Sequence, residues 1–441
     1  MSLAKVIYFI LFYLCGRLNN IMSKKLKVLI SAYACRPNMG SEPGVGWNTV
    51  IELAKYCQVW VLTREDNRSS IEAELSKNPI SGIHFVYCDP PQWAGWWKAT
   101  KLPHYYLWQL SAYFKARPLH NEIGFDIVHH VTYVKYSTPS FLSLLPVPFI
   151  WGPVGGGESA PKPFWQDFSW RGKVFEILRT LGQRLGEIDP FTRLTARRSI
   201  LVRATTDDTA KRLYQMNARN VEVISALGLS PEEIKRLVQD NITNSSPVRF
   251  ISMARLLHWK GLHLGMQAFA MADLPDDADY WILGEGPEKE RLQTLAEKLN
   301  VTQRVKFWGE QSRDETLSKL SECHVLLHPS LHDSGGLVCL EAMAAGRPVI
   351  CLDLGGPALQ VTEETGFKVR ANTPEQTVRD LAEAMTRLSH DVKLRLQMGQ
   401  AGQKRVRENF SWEKKGQELV QLYETILTEK STVDVDTYNL P

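Results

Sequence analysis

Two doubly wound parallel α/β domains are predicted by two observations. Short apolar runs recur along the chain with helix-like stretches between them, the alternation that builds a parallel sheet covered on both faces. The alternation also stops once, at a polar stretch, and then starts again. The first series reads Val28–Ala32, Val59–Thr63, Ile83–Tyr87, Ile127–His130, Phe149–Gly152, Leu201–Ala204 and Val221–Ile224. The polar stretch Asp240–Pro247, DNITNSSP, has the composition of a linker. The second series reads Arg249–Met253, Tyr280–Leu283, Val305–Trp308, Val325–His328, Val349–Leu352 and Phe367–Val369. These readings place a first domain at 24–243 and a second at 244–410, facing across a cleft where open α/β sheets bind ligands at the carboxyl ends of their strands.

The two ends read differently. Val6–Cys15 is an apolar run behind Lys5, too short to span a bilayer and without a small-residue cleavage site. It is open to three readings: a weak membrane anchor, a signal-like segment, or sequence upstream of a start at Met22. The last is favoured because the first strand begins shortly after Met22, so 1–23 is set apart as an extension. Trp412, Leu419, Leu422, Tyr423 and Ile426 keep helical spacing and predict a terminal amphipathic helix over 411–430. The remainder, 431–441, is a polar tail.

Bulk composition narrows the class. With 441 residues, 44% hydrophobic and 23% charged, the chain can bury two domain-sized cores, which excludes disordered and collagen-like classes. A net charge of +4 is too small to argue for nucleic acid. The seven cysteines are scattered without metal-ligand spacing, as suits a reducing cytoplasm.

The segment His328–Ile350, HPSLHDSGGLVCLEAMAAGRPVI, carries the most chemistry. A buried strand runs into Asp333, Ser334, Gly335 and Gly336, where two glycines let a ligand approach the backbone. A helix then starts at Leu337 and carries Glu341. Its unpaired amide groups and dipole favour an anion, while Asp333 and Glu341 offer acceptors to sugar hydroxyls. Arg255 and Lys260, with Gly261 adjacent, follow the strand that ends at Met253. Two cations at a strand-to-helix loop suit a diphosphate, Arg as a fork and Lys as a point charge.

This arrangement resembles the family-4 retaining glycosyltransferases of GT-B fold, whose signature is two acids separated by seven residues with Gly three places after the first. Gly336 and Glu341 are in register with it. Asp333 stands where Glu is usual, and Ser334 where Gly is common. The resemblance runs from about Lys27 to Leu427 and implies that the terminal helix crosses back onto the first domain. It implies further that Arg255 and Lys260 clamp the donor diphosphate, that Glu341 holds the ribose and Asp333 the donor sugar, and that Gly284, in the turn Gly284–Pro287, and Gly309–Glu310 lie near the nucleotide. In the first domain, Gly44 and Gly46 of GSEPGVGW resemble the family's first glycine loop over the donor phosphates. Glu42 in that loop either touches an acceptor or caps the turn.

Many family members carry His-x-His at the end of the fourth strand, with one His contacting the donor sugar. Here the pair is His129-His130, which alternation puts on opposite faces of the sheet. His130 is the preferred cleft residue, with His129 close behind; a satisfied core histidine is the competing reading for either. The run Gly152–Glu158, GPVGGGE, either lets backbone approach a ligand or only turns the chain, and resembles a subset of the family that makes cell-surface polysaccharides. Residues 93–117 interleave aromatic and basic side chains, as at an anionic membrane interface, or as in a buried aromatic helix.

The resemblance implies a retaining glycosyltransferase moving a hexosyl group from a nucleotide-diphosphate sugar to a saccharide or polyprenyl-linked acceptor, in exopolysaccharide, capsule or O-antigen synthesis. It would be cytoplasmic, with peripheral contact to the inner face of the membrane. The alternatives are an inactive nucleotide-sugar-binding subunit and a sugar-nucleotide epimerase. No metal or other cofactor is expected: Asp277-Ala278-Asp279 precedes a buried strand, Asp434-Val435-Asp436 lies in the tail, and Arg255 and Lys260 neutralise the diphosphate.

Overall fold

The computed structural model describes residues 25–91, 102–238 and 247–437. The extension 1–23, part of the aromatic segment 93–117 and most of the linker therefore lie outside the described residues.

All thirteen apolar runs form strands. In the first sheet these are β1 (Lys27–Ala32), β2 (Gln58–Thr63), β3 (Ile83–Tyr87), β4 (Ile127–Thr132), β5 (Phe149–Val154), β6 (Leu201–Ala204) and β7 (Val221–Val223). In the second they are β8 (Arg249–Met253), β9 (Asp279–Leu283), β10 (Val305–Gly309), β11 (Val325–His328), β12 (Val349–Leu352) and β13 (Gly366–Val369). The sheet orders are β3-β2-β1-β4-β5-β6-β7 and β10-β9-β8-β11-β12-β13, and the pairings are parallel. Helices cover both faces, which is why the central strands read as continuous apolar runs rather than alternating ones. In both sheets the strand order reverses beside the first strand, between β1 and β4 and between β8 and β11. Connections leaving the carboxyl ends of two such strands diverge and open a crevice.

The helix Trp412–Thr437 returns to the first domain. Its Leu419, Tyr423 and Ile426 join the core built on Val28, Ile30, Val59 and Ile127. Burying those side chains in this core stabilises the return by about 1.5–3 kcal/mol each.

One expectation is corrected here, and one alternative is decided for two residues. The stretch Gly40–Trp47 is not an open glycine loop: Ser41–Ala54 is a helix containing both Gly44 and Gly46. A Cβ at Gly44 would lie 2.0 Å from the Met39 carbonyl oxygen, and one at Gly46 2.3 Å from that of Ala34. These glycines serve close packing of a helix on the β1 exit, and Pro43 is tolerated because it sits in the first turn. The described part of 93–117 belongs to the helix Leu102–Ile123. Its Tyr105 and Trp108 are buried in the first-domain core, Trp108 donating its indole N–H to the Cys88 carbonyl at 2.7 Å. The buried-helix reading holds for these two aromatics, although Phe114, Lys115 and Arg117 are exposed.

Candidate active site

The two switch points face each other across a pocket of about 530 Å³, lined from the second domain by Lys260, His328, Asp333, Ser334, Gly336 and Leu337. Glu42, Tyr133, Lys135 and Gly155 line it from the first. A second pocket of about 830 Å³ continues past Lys260 and Asp333 to Arg255, Trp259, Arg179 and Gln183.

Asp333 sits at the centre. β11 ends at His328, and the chain reaches Gly336, which has φ 75° and caps the helix Leu337–Ala344. Only glycine holds that backbone cheaply. Lys260 donates from Nζ to Asp333 Oδ2 at 2.5 Å, and the His328 Nε2 stands 3.4 Å from the same oxygen. The Gly335 N–H reaches Asp333 Oδ1 at 3.3 Å. Burial alone would raise this carboxyl, but the imidazole and the ammonium outweigh it and hold it well below the usual carboxylate range. The site thus presents a fixed carboxylate, a lysine and helix-terminal amides within one pocket.

Gly155 approaches from the first domain. A Cβ there would lie 3.2 Å from the Ser334 Cβ, so a side chain would narrow the passage between the domains. Glu158 holds the glycine run in place: its carboxylate accepts from Gly156 N at 3.1 Å, Thr206 Oγ1 at 2.8 Å and Thr209 Oγ1 at 3.0 Å. Glu42 accepts from the Tyr133 N–H at 2.8 Å, tying the start of its helix to the β4 exit.

Other expected residues fall elsewhere. Arg255 is exposed and lines the second pocket beside Lys260. Gly284 has φ 126°, and a Cβ there would stand 2.0 Å from the Ala254 carbonyl oxygen, so it is required by backbone packing between the β9 and β8 exits. Glu341 is buried and does not line the pocket. Arg313 binds its Oε1, and burial raises its carboxyl against the opposing pull of that arginine. Asp279, in the rejected metal motif, is taken by Lys306 at 3.0 Å and Arg249 at 3.7 Å.

The histidine expectation is corrected. His130 is completely buried on the far side of β4, where its Nε2 lies 3.2 Å from Tyr105 Oη and 3.1 Å from the Thr132 carbonyl. His129 lies 2.6 Å from both Tyr423 Oη and the Gly152 carbonyl. Neither lines the pocket at Asp333. Burial lowers the imidazoles to about 3 for His129 and about 4 for His130, so both stay neutral. They are structural, His129 as the dock for the returning helix.

One contact between the domains was not predicted from the sequence. His258 and His332 of the second domain both place Nε2 on Glu176 Oε1 of the first, at 3.1 and 3.2 Å. Glu176 is fully buried; burial opposes its charge, yet the two imidazoles and Arg179 hold it down to about 2. Trp259 stacks between His332 and Phe175, with ring centroids at 5.2 and 5.0 Å. The only signal in the chain was two histidines near the Lys260 and Asp333 loops; their partner is far away in sequence.

Residues 233–405 match the family described as glycosyl transferases group 1. The chain has the GT-B fold, two Rossmann-like domains. It is similar to D-inositol 3-phosphate glycosyltransferase of Corynebacterium jeikeium, with 34% identity over 32% of this chain and 33% of that protein. It is also similar to the putative colanic acid biosynthesis glycosyltransferase WcaL of Escherichia coli, with 28% identity over 58% of this chain and 65% of that one. Among solved structures it resembles Anabaena HepE in complex with UDP-glucose, at TM-score 0.57 and 16% identity over 91% of this chain and 100% of that one. The alignments thus span less than two thirds of the length of these curated relatives.

Proposed function

We propose that this protein is a retaining glycosyltransferase of family 4 that moves a hexosyl group from a nucleotide-diphosphate sugar to a saccharide or polyprenyl-linked acceptor. The observation that carries the reading is the meeting of Lys260, Asp333 and the Gly336 helix terminus in one interdomain pocket. The match of residues 233–405 to group 1 glycosyl transferases and the UDP-glucose bound by HepE support it.

Lys260 and the helix amides would neutralise the departing diphosphate, with Arg255 adding charge from the adjoining pocket. These positive groups do the work of a divalent ion, so we assign no metal to the reaction. Asp333 accepts from the sugar hydroxyls. Glu341 is assigned the ribose hydroxyls on the family resemblance alone, since it is buried outside the pocket lining with its Oε1 held by Arg313. The acceptor hydroxyl attacks C1 on the face that the diphosphate leaves; the C1–O bond to phosphate breaks, and the hydroxyl proton passes to the leaving oxygen. The similarity to WcaL favours surface polysaccharide assembly as the setting.

The test is a screen of labelled nucleotide sugars with membrane lipid extract. Sustained transfer supports the reading. Donor affinity without transfer or hydrolysis would favour an inactive binding subunit, and interconversion of donors without acceptor would favour an epimerase.

A further inference from the structure

The helix Trp170–Ile188 is turned inside out. A surface helix buries its apolar stripe and shows water its polar face. Here the buried positions are Gly172, Glu176 and Gln183. The apolar side chains Trp170, Ile177, Leu178, Leu181, Leu185 and Ile188 are instead 52–70% exposed. At roughly 100° per residue they fall with Val174 on one stripe about 100° wide. Phe191 and Leu194 of the next helix, Pro190–Arg198, are exposed as well.

The inward face accounts for the inversion. Glu176 is occupied by the two imidazoles of the second domain, and Gln183 donates to the Gly156 carbonyl at 2.7 Å, bracing the glycine run. With its polar side committed to the cleft, the helix turns its apolar side outward.

Charge identifies what covers it. Arg171 flanks the stripe on one side, Lys173 and Arg184 on the other, and Arg197 is exposed beyond it. The acids of the same helix are withdrawn: Glu176 is buried, and Glu187 is bound by Arg212 at 2.6 Å. Bulky apolar residues bordered by cations are the chemistry of an interfacial helix lying in an anionic bilayer. An ordinary monomer does not keep such a continuous apolar face in water.

We propose that the Trp170–Ile188 helix, extended by Phe191 and Leu194, is a membrane-docking surface that seats this chain on an anionic lipid bilayer. Leu185 belongs both to the stripe and to the lining of the second pocket. On the transferase reading above, an acceptor held by a lipid would enter that pocket directly from the bilayer; the docking itself does not depend on that reading.

The test is cosedimentation of the full chain with vesicles of phosphatidylcholine alone and of phosphatidylcholine with phosphatidylglycerol at about 70:30. Binding to the anionic vesicles at least tenfold tighter than to the neutral ones is expected. Leu178→Glu/Leu181→Glu should abolish it without changing the melting temperature, because both side chains stand in solvent. Arg171→Gln/Lys173→Gln/Arg184→Gln should weaken it tenfold or more on anionic vesicles while leaving the fold intact. Failure to bind either vesicle, or binding by the Leu178→Glu/Leu181→Glu variant equal to that of the unaltered chain, overturns the proposal. So does light scattering that shows a dimer split by Leu178→Glu/Leu181→Glu, since a second copy would then be the cover. Sugar transfer in detergent, measured alongside, separates loss of docking from loss of the active site.

Discussion

Lys260 and Asp333 meet at 2.5 Å across the β8–β11 switch point, the lysine from the loop after β8 and the aspartate from the loop after β11. The pair joins the cation that suits a diphosphate to the acid that suits a sugar. Lys260→Ala removes a charge-assisted hydrogen bond and should weaken nucleoside diphosphate binding by about 1.5–3 kcal/mol, measurable by calorimetry. It also leaves Asp333 without its ammonium partner. The melting temperature should therefore fall, and adding Asp333→Asn should recover part of that loss.

Arg255 is exposed, so its contribution is screened by solvent. Arg255→Ala should cost the donor about 1.5 kcal/mol, the low end for a hydrogen bond to a charged group. The loss should shrink as salt rises from low to physiological. Unchanged affinity at low salt counts against the diphosphate clamp.

Glu176 gives the domain contact a pH dependence of definite sign. Its folded carboxyl is held down to about 2, below the value of about 4.3 in an unfolded chain. The stability it contributes is complete above the unfolded value and is lost as pH falls toward 2. His332 acts in the same direction, since burial lowers it and the folded chain resists its protonation. Glu176→Gln should destabilise the protein by about 1–3 kcal/mol near pH 7. Thermal melts should show its deficit against the unaltered chain narrowing between pH 5 and pH 3.

The histidine pair offers a test in which stability and function part. His130→Gln disturbs a buried polar cluster and should cost about 1–3 kcal/mol in denaturant titration. Donor affinity should stay within about twofold, because the imidazole does not line the pocket. A variant of normal stability with lost donor affinity would restore the catalytic reading.

Much of this was legible in the chain because local rules govern it. Strands buried on both faces announce themselves as apolar runs, and Asp333, Gly336 and Lys260 sit where strand-end loops must bring them. The errors arise where packing decides. Gly44 and Gly46 read as a loop by resemblance to the family's first glycine loop, whereas here they admit a helix into close contact with the chain near Ala34 and Met39. His129 and His130 alternate as expected, but only tertiary structure shows that Tyr423 and Tyr105 meet them instead of the cleft. The inverted helix was hidden most completely. Periodicity marks Trp170–Ile188 as amphipathic without saying which face turns inward, and Glu176 finds its partners in the other domain.

The central claim is sugar transfer at the Lys260–Asp333 pocket. Its most direct measurement is kcat/KM for transfer of label from the accepted nucleotide sugar, compared between the unaltered chain and Lys260→Ala. The expected result is sustained transfer with release of the nucleoside diphosphate, and a loss of about 100-fold or more in the variant, equal to about 2.7 kcal/mol of barrier. Transfer by Lys260→Ala at the unaltered rate, or donor binding with no transfer to any acceptor in the extract, would contradict it.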